Sequence, residues 1–355
     1  MLEATAFWIE KPGVGALHRE PLQQPDDGDV LVRTLYTGIS RGTEASVFTG
    51  HVPPSERERM RAPFQEGDFA PSDTETANYG PVKYGYLNVG VVEQGPESLR
   101  GQTVFTLFPH QSAFVVPADA VTVIPDGVPA RRAVLAGAVE TAINVLWDAA
   151  PLVGDRVSVV GAGMIGCCVA RLLRGIQGVD VALLDVNPAR KAVADQLGVR
   201  FVDIADAPHD RDIVINTSGS DAGLQLALET VVTDGEVIEA SWYGDRPASI
   251  MLGADFHSRR LSIRSSQVGA VAARRRGQRT PRQRLELAIQ FLSDPAFDAL
   301  LTADSSWREL PEVMSSLADG SRTDLCHTIH WFEQDSAEHD SVEKDSVEKD
   351  RGNPE

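Results

Sequence analysis

Cysteine is scarce in this chain: Cys167, Cys168 and Cys326 are the three in 355 residues. Three thiols can build neither a disulfide framework nor a four-cysteine zinc site. Positive charge is also short, with 33 Lys and Arg against 51 Asp and Glu and a net charge of −18. A phosphate backbone is gripped by cations, so nucleic acid is not an expected partner. No run approaches the roughly 20 apolar residues that a membrane helix needs. Residues Met1 to Phe7 carry an acid and lack the basic-then-apolar order of a secretory signal. The expectation is a cytoplasmic protein with no membrane partner.

Apolar residues make up 42% and charged ones 24%, enough to fill real cores over two domains. Up to about residue 130 the chain reads as short β segments broken by Pro and Gly: Ala4–Ile9, Asp29–Thr37, Gly90–Gln94, Thr103–Leu107 and Ser112–Val116. A polar excursion over about 51–80 is too long for a passive loop. Ala133–Ala150 is apolar at helical spacing and stops at Pro151. Apolar runs then alternate with helical segments: Arg156–Val160, a helix from 163, Val179–Leu184, a helix from 188, Asp212–Asn216, a helix from 221, and Gly235–Ala240, closing near Leu261–Arg264. That alternation predicts a doubly wound parallel sheet. Residues 281–320 read as helical, with Arg284, Leu285, Leu287, Ala288 and Phe291 mixing faces as on a surface helix, and His327–Phe332 reads as a last strand. The resulting division is a β-rich domain over 1–130 with 268–333, and a nucleotide domain over 131–267. In 334–355 eight acids face three bases, and Asp340–Lys344 is repeated at 345–349; this composition predicts a disordered acidic tail.

The most informative motif is Gly161-Ala162-Gly163-Met164-Ile165-Gly166, a G-x-G-x-x-G between a strand and a helix, with Asp185 ending the next strand 19 residues on. Gly161 allows the tight turn, Gly163 the approach of a pyrophosphate, and Gly166 close helix–strand packing. The helix start offers unpaired N–H groups to phosphates. Asp185 suits a ribose 2′-hydroxyl and repels a 2′-phosphate, so NAD(H) is preferred; Arg190, near Asn187, leaves NADP(H) open. Thr217, Ser218 and Gly219, with the loops at Ala240–Tyr243 and Ser265–Gln267, should face the same crevice.

A β-rich segment, a central nucleotide domain and a return strand, with Gly38-Ile39-Ser40-Arg41-Gly42-Thr43-Glu44 and Gly85-Tyr86-Leu87-Asn88-Val89-Gly90, resemble the medium-chain dehydrogenase/reductase superfamily. The likeness covers roughly residues 1–332 and is closest to the branch around bacteriochlorophyllide a dehydrogenase. It implies an α/β protein with a GroES-like catalytic domain, a Rossmann nucleotide domain, a cleft between them and a homodimer. It also implies that Thr141 lies behind the nicotinamide and that Arg322 is the pyrophosphate-binding Arg. Family members with catalytic zinc use a Cys, a His and a Cys or Glu. Here Arg41 (or Ser40) and Tyr86 stand at the first two positions, Glu140 falls beside the third, and the four-cysteine lobe is missing. No zinc is expected. His327 and His330 alternate across a strand and do not rebuild a site.

Without a metal, a donor or cation must polarise the substrate oxygen. Thr43 and Glu44 are candidates for a proton relay, Tyr86 for the phenol, Lys83 for lowering its pKa or binding the oxygen, and Arg41 for orienting an anionic substrate. Each has a structural alternative: Tyr86 as a volume filler, Glu44 as a partner of Arg41, Thr43 as a strand-edge hydroxyl. The run Arg274, Arg275, Arg276, Arg279, Arg282 and Arg284 is either an anion-docking patch or a solvated loop. The expected function is an alcohol–carbonyl oxidoreductase acting on a small organic molecule. The alternatives are a non-catalytic dinucleotide sensor or scaffold, and an NADPH-dependent enone reductase.

Overall fold

A computed structural model describes residues 2–61, 63–67 and 81–332. The expected tail at 334–355 and much of the 51–80 excursion lie outside the described residues.

The N-terminal part opens with a hairpin of β1 (Leu2–Lys11) and β2 (Val14–Leu22), then β3 (Asp29–Ser40), which runs straight into α1 (Arg41–Phe48). The two-residue strand β4 (Glu66–Gly67) lies within the excursion and pairs antiparallel with β5 (Val82–Lys83) just after it. β6 (Asn88–Gln94), β7 (Thr103–Thr106), β8 (Ala113–Pro117) and β9 (Thr122–Val123) complete this stretch. Its β-branched runs form buried faces because alternate side chains point to one side of a sheet.

A short helix α2 (Ala130–Ala133) leads into α3 (Ala136–Ala149), which ends with Ala150 at φ +48° ahead of Pro151, a residue that cannot continue the hydrogen-bond ladder. Then come β10 (Arg156–Val160), α4 (Met164–Arg174), β11 (Asp180–Asp185), α5 (Arg190–Gln196), β12 (Arg200–Asp203), β13 (Arg211–Asn216), α6 (Asp221–Thr230), β14 (Val231–Glu239) and β15 (Ser262–Ser265). These strands pair in parallel in the order β12-β11-β10-β13-β14-β15. This is the doubly wound Rossmann arrangement, with its topological switch between β10 and β13.

The chain ends with α7 (Pro281–Phe291), β16 (Leu301–Ser306), α8 (Leu310–Ala318) and β17 (Cys326–His330). A capping box of Thr280 and Gln283, with Pro281 at the first turn, starts α7. β17 lies antiparallel to β3, so residues 301–330 extend the sheet begun near the N-terminus, in the order β16-β17-β3-β6-β7-β9. The fold is an α/β one, a GroES-like β-rich domain joined to a Rossmann domain.

The sequence reading differs in three places. The helical reading of 281–320 is interrupted by β16, whose Leu-Thr-Ala-Asp-Ser-Ser alternates only weakly and is drawn into a sheet by parallel pairing with β17. β2 and β12 carry few buried side chains and left no hydrophobic alternation to read. Arg284 is not on a surface face: it is 2% exposed and packed between α7 and α3.

Candidate functional site

Two sets of residues converge from the two domains. The first lines the carboxyl ends of the Rossmann strands. Gly161 sits at φ +102°, and a Cβ there would come within 2.8 Å of the Ser218 backbone. A Cβ at Gly166 would fall on the Gly161 carbonyl oxygen. At Gly163 it would meet nothing within 4 Å, so here alone in the motif the backbone faces open space. Gly163 also starts α4 with no side chain capping the first N–H groups, those of Met164 and Ile165 among them. Free donors beside an open glycine make a fitting cradle for a pyrophosphate. Asp185 closes one end: its carboxylate accepts from Ala162 N at 2.7 Å and from Asn187 N at 2.8 Å. The Asn187 side chain in turn accepts from Ala189 N at 3.0 Å.

Arg190 donates to the Thr323 carbonyl at 2.6 Å, tying α5 to the segment before β17. Arg41 reaches this crevice from the other domain. Burial and the neighbouring Arg190 lower its pKa, while Asp185 and Asp324 oppose that shift. Its charged neighbours thus belong to the dinucleotide end. Arg322 is exposed, with its guanidinium 3.7 Å from Asp324. The Thr141 hydroxyl is taken by the Gly137 carbonyl within α3, at 2.8 Å.

The next loops interlock. Thr217 Oγ1 donates to the Gly161 carbonyl at 2.8 Å, Ser218 Oγ to Asn216 Oδ1 at 2.8 Å, and Gly219 N to Ser241 Oγ at 3.0 Å. Asn216 Nδ2 donates to Glu239 Oε2 at 2.6 Å, and the Tyr243 hydroxyl lies 3.3 Å from the same oxygen. Partial burial and that carboxylate push the Tyr243 phenol upward in pKa. Tyr243 lies in the loop expected to face this crevice, whereas Glu239 was not expected from the sequence; an acid ending the fifth sheet strand was the available signal.

The second set surrounds Tyr86, in the turn between β5 and β6. Tyr86 is half-buried. Burial raises its pKa most and the Glu44 charge adds to this, while hydrogen bonds with Ser40 and Thr43 oppose the shift. The phenol therefore stays protonated across the physiological range. Glu44, on α1, is 1% exposed; it accepts from Ser40 N at 2.7 Å and meets His110 Nε2 at 2.7 Å. His110 Nδ1 lies 2.8 Å from Thr37 Oγ1, which also accepts from Trp331 Nε1 at 3.0 Å.

Lys83 departs from its expected place. Its ammonium lies within 3.0 Å of Glu20, Glu66 and Gln111. An ammonium so engaged is not available to lower the Tyr86 pKa, whose shift is upward. The pairing of Glu44 with Arg41 is likewise replaced by the pairing with His110. Glu140, beside the third ligand position, faces Arg284 at 3.0 Å, and burial raises its pKa in spite of that partner. Arg284 leaves the proposed basic patch for this buried contact, and Arg282 pairs with Glu286 at 3.0 Å. His327 and His330 go to different acids, Asp324 and Asp304. Among the described residues no three His, Cys, Asp or Glu side chains converge as a metal site, and no helix is long and apolar enough to cross a membrane.

No family model matches the chain. It is 37% identical over 119 residues to an L-threonine 3-dehydrogenase of Mesorhizobium japonicum, covering 32% of this chain and 33% of that one. The match thus spans about a third of that relative's length. It is 25% identical over 285 residues to the 2-desacetyl-2-hydroxyethyl bacteriochlorophyllide A dehydrogenase of Cereibacter sphaeroides, covering 74% of this chain and 81% of the relative. The fold matches an alcohol dehydrogenase from Escherichia coli, solved with NADH, at a TM-score of 0.70 and 17% identity, over 92% of this chain and 99% of that one. Its sheet order, its fingerprint and these relatives support the medium-chain dehydrogenase/reductase superfamily.

Proposed function

We propose that this protein is a zinc-independent, NAD(H)-preferring oxidoreductase that interconverts an alcohol and a carbonyl on a small organic substrate. The observation that carries the reading is the Tyr86 phenol, which burial and the Glu44 charge keep protonated beside Ser40 and Thr43, at the position where the family resemblance places a zinc ligand. A phenol there gives the substrate oxygen the donor that a metal would otherwise replace.

The nicotinamide supplies hydride transfer when bound. The chain's own residues do the rest. Gly161 to Gly166 and the first N–H groups of α4 hold the pyrophosphate, and Asp185 takes the ribose hydroxyls. Arg41 and Arg190 supply positive charge at that end. Tyr86 hydrogen-bonds the substrate oxygen and carries the proton that moves with the oxidation state; Ser40 and Thr43 orient its hydroxyl. Trp242, packed against the same apolar cluster as Tyr86 and Met60, helps keep water from the cleft. The preference for NAD(H) is argued from Asp185, whose negative charge disfavours a 2′-phosphate.

The test is a screen of alcohols with NAD and carbonyls with NADH on the purified protein, repeated with Tyr86→Phe and Thr43→Ala. Turnover that collapses in the phenylalanine variant supports the reading. Cofactor binding with no turnover on any alcohol, carbonyl or enone would instead favour a sensor, and NADPH-linked enone reduction would replace the substrate class.

A further inference from the structure

We infer that Asn144 and Asp148 of α3 are positioning residues for the nicotinamide end of the cofactor: from behind, they fix the segment Arg264–Ala272 that leaves β15 at the crevice. The inference rests on the dinucleotide reading above and adds two residues that neither the fingerprint nor a zinc-ligand position marks.

The spacing comes first. Glu140, Asn144 and Asp148 recur every four residues along α3, so they stand on one face of the helix. All three are buried, Asn144 at 1% exposure. A buried polar stripe must be met by hydrogen bonds, and here the partners lie in one stretch of chain. Asp148 Oδ2 accepts from Ser266 Oγ at 2.7 Å, and Asp148 Oδ1 from Arg264 at 3.4 Å. The Asp148 carbonyl accepts from the same guanidinium at 2.6 Å. Asn144 Nδ2 donates to the Gln267 carbonyl at 3.2 Å, and its Oδ1 accepts from Ala272 N at 3.0 Å. A carbonyl only accepts and a backbone N–H only donates, so these two partners fix which way the amide points. Arg284 of α7, bonded to Asn144 and Glu140, closes the stripe on the Val268 and Ala270 carbonyls.

The segment depends on these side chains because its own backbone does little. From Gln267 to Val271 the described residues make one backbone–backbone hydrogen bond, Ala270 N to the Gln267 carbonyl at 3.4 Å. Its start is tied to the sheet by Ser266 N, which donates to the Glu239 carbonyl at 2.8 Å. Along it, exposed Ser265, Gln267 and Gly269 alternate with half-buried Ser266 and Val268. The result is a wall with an open front and a pinned back.

Its place in the fold gives this wall a task. A doubly wound sheet binds a dinucleotide across the carboxyl ends of its strands, one mononucleotide over each half. Asp185 ends β11, so the adenosine side lies over β10 to β12 and the nicotinamide side over β13 to β15. Arg264–Ala272 continues from the carboxyl end of β15, on that second half. The start of α3 lies by the phenol: a Cβ at Gly137 would be 4.0 Å from the Tyr86 ring. Asn144 is two turns further along the helix, about 10 Å at the usual rise per residue. One helix thus backs the phenol and pins the wall, and so sets the distance between them.

Titrations of the full chain with NADH and with ADP-ribose, which keeps the adenosine diphosphate and lacks the nicotinamide, test this. Ser266→Ala, which removes one pinned hydroxyl from a half-buried residue, should weaken NADH about five- to tenfold and leave ADP-ribose within about twofold. The fluorescence of bound NADH should move toward that of free NADH. Ser266→Thr keeps the hydroxyl and should restore NADH binding to within about twofold of the wild type. Asn144→Ala should weaken NADH more than Ser266→Ala does; if it does not fold, Ser266→Ala carries the test alone. Unchanged NADH binding in Ser266→Ala overturns the proposal, as does an equal loss of NADH and ADP-ribose. A wild-type chain that binds neither ligand overturns the dinucleotide reading and this proposal together. Wild-type binding of both, unmoved in Ser266→Ala, overturns the positioning role alone.

Discussion

The dinucleotide crevice and the phenol site solve the problem of placing polar groups by opposite means. The crevice is built from backbone: three glycines, a helix start and one carboxylate, within 25 residues from Gly161 to Asp185. The phenol site is built from the half-buried Tyr86 and the buried residues Thr37, Ser40, Glu44, His110 and Trp331, brought together across almost the whole chain. Backbone sites fail by steric occlusion, whereas buried charged sites fail by losing a partner. That difference makes the two separately breakable.

The largest effect is expected within the fingerprint. Gly166→Val puts its side chain on the Gly161 carbonyl and should cost the fold itself, read as loss of the cooperative unfolding transition. Gly163→Val, at the glycine facing open space, should leave the melting temperature within a few degrees. It should still weaken NADH binding by about 100-fold, about 2.7 kcal/mol. Equal damage from both would erase the distinction between packing and ligand glycines.

Buried charge outside both sites comes next. Arg284→Met leaves Glu140 without its guanidinium in the interior and should cost about 3–5 kcal/mol in a urea titration. Pairing it with Glu140→Leu should recover part of that loss, since an apolar pair needs no solvation. Tyr86→Phe should then act on chemistry and not on stability. Turnover should fall by about 100- to 1,000-fold with KM within about two-fold, as expected for removal of a positioned proton donor. Unchanged turnover in Tyr86→Phe, which keeps the ring and loses only the hydroxyl, would mean that the ring merely fills volume. The smallest effect is expected at Lys191→Ala, which breaks an exposed pair with Asp195 one helical turn away. It should change stability by no more than about 0.5 kcal/mol.

The same contrast accounts for what could be read in advance. The parallel sheet and its glycines were legible because each part is local: apolar strands, a turn signal and an acid at fixed spacing. β3 and β17 were legible for the same reason. β2 was not, since its Val-Gly-Ala-Leu-His-Arg-Glu-Pro-Leu keeps few buried positions and is held by pairing with β1. β16 was read as helix because its polar residues show no period of two, and only β17 beside it fixes its state. At the phenol site Tyr86, Thr43 and Glu44 stood out by position, while His110 lies 66 residues from Glu44 and carries no spacing signal. Lys83 was assigned to the phenol by sequence proximity. On the sheet its ammonium goes instead to Glu20 of the facing hairpin, a partner that proximity in sequence does not reveal.

The most direct measurement is a fluorescence titration of purified protein with NADH and NADPH in parallel, with zinc measured on the same sample and Asp185→Ala beside it. The expected result is saturable NADH binding at least about tenfold tighter than NADPH, about 1.4 kcal/mol, with zinc far below one per chain and the gap narrowed in the alanine variant. Equal or tighter NADPH binding would contradict the role given to Asp185, and stoichiometric zinc would contradict a metal-free phenol site.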